Sequence, residues 1–320
     1  MIKFSRTNLH TGGFSMKRLF LLLFLTAFFL SGCITLLPGQ TKGADTTLPT
    51  GTTATAPTGR WVTYAEQTFY QNEDGSYHKG WLEFNDTRYY LDGQGVLQTG
   101  WLELDGETYY LKADGSITRG KANIDNRTYY FTASGAQILL VNPWNFIPTD
   151  YTPELVDAED GYLVDSACKD DLLQMLADCR KAGFDARITS AYRRQETQVE
   201  LYNNKVWYYI NQGYSEEDAR KEAGTIIAVP GTSEHQLGLA VDLVDSSYWV
   251  LDEEQENTPA QKWLMEHCWE YGFILRYPND KTSATGIIYE PWHYRYVGKD
   301  LAQELKPTGL CLEEYLNLLH

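Results

Sequence analysis

Cysteine is scarce in this 320-residue chain: there are five, and no two form a Cys-x-x-Cys pair. That excludes a disulfide-dense scaffold and leaves a thiolate zinc site without ligands. Cys168 and Cys179 fall on one expected helix, about 16 Å apart at 1.5 Å rise per residue, so they cannot bridge each other there. Cys168, Cys179, Cys268 and Cys311 are read as small buried hydrophobes, with no pairing assigned. Basic residues are few as well, 27 Lys and Arg against 43 Asp and Glu, for a formal net charge of −16. Such a chain is not drawn to nucleic acid or anionic lipid by its overall field. Long apolar runs are also missing. The stretch from Leu19 to Leu30 is too short to span a bilayer comfortably.

That short run belongs to a targeting segment, to be set aside before fold reasoning. From Met16, "MKRLFLLLFLTAFFLSGC" places two basic residues before the apolar run and Ser-Gly directly before Cys33. The pattern resembles a lipoprotein lipobox. It implies a signal peptide over residues 1–32 and Cys33 as the lipidated first residue of an extracytoplasmic protein held at the membrane. Removing residues 1–32 takes away four basic and no acidic residues, which moves the formal charge from −16 to −20. Residues 33–60, with "LPTGTTATAPTG", have nothing to bury and read as a linker.

Aromatic residues, by contrast, are plentiful, with 23 Tyr and 9 Trp, and many of them recur with a fixed period. Residues 61–140 repeat every 20 residues: Trp61, Trp81 and Trp101 open successive units, with Lys121 in the fourth. The pairs Phe69-Tyr70, Tyr89-Tyr90, Tyr109-Tyr110 and Tyr129-Tyr130 follow, then Gly75, Gly95, Gly115 and Gly135. The pattern predicts one hairpin per unit, two short strands around a Gly turn. No single unit can bury its own aromatic face, so an all-β hairpin-repeat solenoid is expected.

From about residue 141 the pattern turns to mixed helix and strand. "SACKDDLLQMLADCRKAGF" has helical spacing and stops at Gly183. "DARITSAYR" reads as a strand, and 194–212, 215–228 and 259–271 as helices. Strands follow at "FILRYP" and "IIYEPWHYRYVG", before a last helix near Leu310 to Leu319. Without regular alternation of strand and helix, residues 141–320 form an α+β domain.

Two of the six histidines stand apart. His10, His78, His267 and His320 read as leader, surface or packing residues. His235, in "GTSEHQLGLAVDL", and His293, in "YEPWH", each have a carboxylate nearby in a segment that is no ordinary helix. Pro291 biases Glu290 away from helical geometry, and strand residues three apart point to opposite faces. Glu290 and His293 can therefore share a site only if the chain bends between them. Two histidines and one carboxylate suit Zn²⁺ with an open position for water, and a further carboxylate could act as base. His235, Asp242 and His293 match the first role and Glu290 the second. A pair of hydrogen-bonded core histidines, with Asp242 in an ion pair, satisfies the same pattern.

"SEHQLGLAVD", "EPWHYRYVG" and "SAYRRQETQ" resemble the three signatures of the VanY-type D-alanyl-D-alanine carboxypeptidases, zinc enzymes of bacterial peptidoglycan metabolism. The resemblance implies an α+β zinc peptidase domain with His235, Asp242 and His293 as zinc ligands and Glu290 as catalytic base. Arg193 would hold the substrate carbonyl or carboxylate, with Gln198, Ser233 and Tyr277 as further substrate contacts. Arg194 stands where a serine is common. The expected activity is removal of the terminal D-alanine from peptidoglycan stem peptides. An L,D-carboxypeptidase acting on tetrapeptide stems shares every motif, and a non-catalytic wall-binding protein is the rival of another class. The 20-residue units resemble the cell-wall-binding repeats of choline- and glucan-binding surface proteins. That implies a wall glycan or teichoic polymer held by Trp61, Trp81, Trp101, Tyr90, Tyr110 and Tyr130. Those repeats usually carry another aromatic before the Tyr pair, where this chain has Thr68, Arg88, Thr108 and Thr128.

Overall fold

The computed structural model describes residues 58–319. The leader, Cys33 and most of the linker lie outside the described residues. No described helix is long and apolar enough to cross a membrane.

Four antiparallel hairpins open the described chain: β1 (Arg60–Tyr64) with β2 (Gln67–Gln71), β3 (Gly80–Phe84) with β4 (Thr87–Leu91), β5 (Gly100–Leu104) with β6 (Glu107–Leu111), and β7 (Gly120–Ile124) with β8 (Arg127–Phe131). Strand β9 (Gln137–Ile138) adds to β8. Each hairpin closes on two residues at positive φ: Ala65-Glu66, Asn85-Asp86, Asp105-Gly106 and Asp125-Asn126. That is the two-residue turn whose twist matches the flanking strands. Gly75, Gly95, Gly115 and Gly135 lie in the following turn instead, at φ between 81 and 91°. The hairpin turn is therefore mostly acidic and amide residues rather than the glycine turn expected. Register sets Trp61 opposite Tyr70, Trp81 opposite Tyr90 and Trp101 opposite Tyr110. Successive hairpins are stitched by Leu97 N–H to Thr68 O (2.8 Å) and Ile117 N–H to Arg88 O (2.9 Å).

The rest of the chain is built on one antiparallel sheet. A short ribbon, β10 (Leu155–Asp157) with β11 (Leu163–Asp165), leads into α1 (Ser166–Lys181). Asp165 caps α1 by accepting from Ala167 N–H at 3.0 Å. Strand β12 (Ala186–Ser190) comes next, then α2 (Gln195–Asn211) and α3 (Glu216–Gly224), β13 (Ala240–Asp245) and α4 (Pro259–His267). The chain ends through β14 (Phe273–Leu275), the single turn α5 (Thr282–Thr285), β15 (His293–Tyr296), α6 (Lys299–Leu305) and α7 (Leu312–Leu318). The sheet order is β12-β13-β15-β14.

Alternation along the two central strands decides what each face does. Val241, Leu243 and Tyr294 join Leu172, Met175 and Leu176 of α1 and Leu264 of α4 in the main core. Asp242, His293 and Arg295 necessarily face the other way. The four described cysteines are buried there and elsewhere with free thiols. A second core joins Tyr130, Ile138 and Leu140 to Leu312, Tyr315 and Leu316 of α7, so the last hairpin packs on the C-terminal helix. Gly120 is needed at that contact: a Cβ there would meet Leu319 O at 1.6 Å.

Candidate functional site

Asp242 and His293 reach one site because they are direct cross-strand partners in β13 and β15. His235 arrives differently. The chain from Ser233 makes one 3-10 turn, Glu234–Leu237, and leaves it through Gly238 at φ 74°. A side chain at Gly238 would strain that backbone and crowd Asp165 N at 2.8 Å. This tight exit carries the chain from His235 into β13. Glu290 comes from the turn before β15. His293 N–H bonds Glu290 O at 3.2 Å, and strand geometry begins only at His293. The expected bend between Glu290 and His293 is present.

The geometry is that of a closed cluster. His235 Nε2 lies 3.3 Å from Asp242 Oδ2, and His293 Nδ1 lies 3.2 Å from Asp242 Oδ1. One donor atom from each of the three falls within 4.8 Å of the others. Glu290 Oε2 stands 3.6 Å from His293 Nδ1. All four residues are buried, none more than 7% exposed. The nitrogen that faces the cluster is fixed at His235. Its Nδ1 sits 2.8 Å from Ala191 O and must be the protonated one, which leaves the Nε2 lone pair toward Asp242.

The donor set fits a metal ion on two counts. Two imidazoles and a carboxylate are the ligand types that zinc takes. Asp242 Oδ1 is buried with no hydrogen-bond partner, which is costly unless a cation satisfies it. The charges of the cluster act strongly on one another. Burial works against the ionised form of Asp242, but His235 and His293 outweigh it and hold the carboxyl far below the usual carboxylate range. Burial lowers His235. Burial also works to lower His293, but Asp242 and Glu234 overcome it and raise the imidazole to about 9. For Glu290, burial dominates and pushes the carboxyl up to about 8.

Beside the cluster lies a cavity of about 250 Å³, walled by Arg193, Ser233, Tyr277, Ile227, Ile287 and Trp292 among others. Arg193 is held as a fork: Nη1 donates to Gln198 Oε1 (3.0 Å) and Nη2 to Ser190 Oγ (2.8 Å), with Asp242 Oδ2 at 3.6 Å. Ser233 and Tyr277 line the cavity, and the Tyr277 ring stacks 4.7 Å from that of His293. Gln198 is placed otherwise. It is fully buried, outside the cavity wall, with its amide nitrogen bonded to Ala228 O at 2.7 Å, so it steadies Arg193. Arg194 occupies the position just before α2 and makes no side-chain capping bond there.

In the repeats, Trp61, Trp81 and Trp101 each pack on the Tyr of their own hairpin and on the first Tyr of the next, with centroids 4.8 to 5.1 Å apart. Tyr90 and Tyr110 are half-buried within these stacks, and Tyr130 is buried against α7.

One part of the site escaped sequence reasoning. Behind His293 lies a buried ion network, Glu234, Arg276, Arg295 and Glu313. Glu234 sits beside His235 in the chain, which was a signal. Its partners are 42 and 61 residues away, where no spacing rule reaches.

Comparison with known proteins places this geometry. The family model of the VanY D-alanyl-D-alanine carboxypeptidases matches residues 161–299. A cell wall binding repeat model, of the choline-binding type, matches residues 79–97 and 99–117. A D-alanyl-D-alanine carboxypeptidase of Enterococcus faecalis is 43% identical over 180 residues, 56% of this chain and 65% of that protein. A bifunctional D-Ala-D-Ala dipeptidase and D-Ala-D-Ala carboxypeptidase of Enterococcus gallinarum is 36% identical over 42% of this chain and 68% of its own length. Among solved structures, a mutant of the vancomycin resistance D,D-pentapeptidase VanY in complex with Zn(II) is 43% identical. It covers 56% of this chain and 97% of that one, with a TM-score of 0.51. The chain thus spans just under two thirds of the Enterococcus faecalis relative. From the matched span, the identities and the His-Asp-His cluster together, the chain belongs to the VanY D-alanyl-D-alanine carboxypeptidase family.

Proposed function

We propose that this protein is a zinc-dependent carboxypeptidase that removes the terminal D-alanine from peptidoglycan stem peptides at the cell envelope. The observation that carries the reading is the meeting of Glu290 and Arg193 with the His235–Asp242–His293 cluster at the wall of one cavity. A solved relative whose described ligand is D-alanine-D-alanine, 44% identical with a TM-score of 0.51, supports the substrate class.

His235, Asp242 and His293 would hold the ion. When bound, zinc polarises a carbonyl and lowers the pKa of water to about 7. Glu290 accepts the proton of the attacking water as its oxygen bonds to the scissile carbonyl carbon. Glu290 then returns that proton to the leaving D-alanine nitrogen as the C–N bond breaks. The Arg193 guanidinium, held by Gln198 and Ser190, offers a planar, permanently charged anchor to the terminal carboxylate. A carboxypeptidase needs that anchor, whereas an endopeptidase does not. Ser233 and Tyr277 line the space left for the terminal residue.

The repeats act in this reading as a solenoid that holds a wall polymer and so raises the local concentration of stem peptides without a new contact at the site. Support comes from the hydrogen bonds between hairpins and from the repeat match. Cys33, as a lipidated residue, would tether residues 61–140 and 141–320 to the membrane.

The test is mass spectrometry of pentapeptide and tetrapeptide stems incubated separately with the protein, with zinc and with chelator. Chelator-sensitive loss of one alanine from the pentapeptide alone is expected. Loss from the tetrapeptide would move the assignment to L,D specificity. No loss from either by zinc-loaded protein would overturn the carboxypeptidase reading and favour a binding protein.

A further inference from the structure

Glu234 is a fully buried carboxylate that the proposed reaction does not use. Its two oxygens have unequal surroundings. Oε1 accepts from Arg276 Nε and from Arg295 Nη1, both at 2.8 Å. Oε2 accepts nothing, although it is buried. The atom it faces is His293 Nε2, at 3.6 Å, which is also buried and also without a hydrogen-bond partner. Two complementary orphans thus stand opposite each other, about half an ångström too far apart to bond. A carboxylate serving only as an ion-pair partner would present both oxygens to its arginines.

The group cannot drift from this position. Arg276 forks onto Glu313, Nη1 to Oε2 at 2.8 Å and Nη2 to Oε1 at 2.6 Å, and Asn142 donates to the same carboxylate at 3.0 Å. Arg295 donates to Leu139 O at 3.0 Å and to Tyr296 O at 2.8 Å. Two acids and two arginines leave the network neutral. The arginines offset the charge of the two acids, and what Glu234 presents directly to His293 is the one free acceptor, Oε2.

We infer that Glu234 is a positioning residue for the metal centre: it takes the Nε2–H of His293 and so holds Nδ1 of that ring toward the ion. The inference rests on the reading that His235, Asp242 and His293 hold a metal, and it adds a residue to the support of that site. Once Nδ1 serves as ligand, the neutral ring carries its proton on Nε2. A small movement of the ring then closes the 3.6 Å gap and satisfies both orphans.

The experiment is zinc affinity by chelator competition, for the unaltered protein, Glu234→Gln and Glu313→Gln, with the visible spectrum of the Co(II)-substituted forms. Glu234→Gln should weaken zinc binding about 10–100-fold and alter the Co(II) spectrum, as loss of a carboxylate behind a ligating histidine does. Glu313→Gln breaks the same ion network without touching His293, and should lower thermal stability while leaving zinc affinity within about threefold. Unchanged affinity and spectrum in Glu234→Gln would overturn the inference. So would an equal loss in both variants, because that is the mark of a merely structural role. Should Glu234→Gln fail to fold, the zinc-loaded crystal structure of the unaltered protein decides. Oε2 within about 3.0 Å of Nε2 supports the inference, and a gap still at 3.6 Å refutes it. Failure of the unaltered protein to bind zinc would overturn the metal reading itself. Zinc binding without peptide turnover would leave Glu234's role standing.

Discussion

Asp242 and His293 are direct partners across two antiparallel strands, and their side chains meet at 3.2 Å on the face turned away from the core. Two of the three proposed ligands are therefore held by the sheet's register, while the proposed base, Glu290, hangs from a turn. Strand and turn can fail separately, which gives the first prediction. Glu290→Gln should keep zinc at one ion per chain and lose about 10²–10⁴ in kcat, the range for a missing general base. His293→Ala should lose the zinc. Metal analysis beside kinetics separates them, and a Glu290→Gln protein that turns over normally would remove Glu290 from the chemistry.

Arg193 differs from the ligands in needing shape as well as charge. Both Nη atoms are engaged, by Gln198 and Ser190, which fixes the plane of the guanidinium. Arg193→Lys keeps the charge but not the fork, and should cost about 10²–10³ in kcat/KM. Gln198→Leu frees the fork without removing it. It should cost less, up to about 10²-fold, mostly in KM. If the Gln198 variant were the worse of the two, Gln198 would be touching substrate after all.

Acid stability reports on the network behind the site. Burial alone would raise the Glu313 carboxyl, but Arg276 and the hydrogen bonds from Arg276 and Asn142 outweigh it and hold it below its ordinary 4.5. A carboxyl with a lowered native pKa stabilises the fold above its unfolded pKa, and that stability is lost as pH falls through the native one. The melting temperature should therefore drop as pH falls from about 4.5, and Glu313→Gln should flatten that slope. Thermal melts from pH 3 to 7 on both proteins check this. Parallel curves would assign the acid lability elsewhere.

The repeats, the helix α1 and the His-Asp-His set were legible because each is a local pattern: a 20-residue recurrence, Leu172, Met175 and Leu176 on one helical face, and three short motifs. The bend between Glu290 and His293 followed from Pro291 and strand alternation. Other features left no such trace. The helix expected over 215–228 stops at Gly224, and α6 begins at Lys299, just after Gly298 at φ 81°, with no capping side chain to announce it. "IIYEPWHYRYVG" is strand only from His293 to Tyr296. In the sequence Glu234 shows only that it stands beside His235. Its meaning lies in Arg276, Arg295 and Glu313, which only tertiary packing brings to it.

The last prediction concerns Arg88, at a position where related repeats carry an aromatic. Its guanidinium lies 4.2 Å from the centroid of the Trp81 ring and is held there by Glu83 at 2.7 Å and by Ser134 O at 2.7 Å. The chain thus covers one face of Trp81 with its own cation. Thr108 takes the same place in the next unit, and among the described residues no cation lies over Trp101, which is 43% exposed. If the array binds a quaternary ammonium such as choline, the Trp101–Tyr110–Tyr129 cluster is an open place for it, and Trp81 is closed. A cation–π contact is worth about 1–2 kcal/mol when partly desolvated, so Arg88→Thr should open a further site at Trp81 with affinity raised about 5- to 30-fold over the closed one. Trp101→Ala should remove the site at Trp101 in the unaltered background. Calorimetric titration with choline reads both stoichiometry and affinity. One more site in Arg88→Thr than in the unaltered protein is the expected result. No heat from choline in either protein would direct the array toward a neutral glycan, since sugar rings stack on an indole without needing a cation's place.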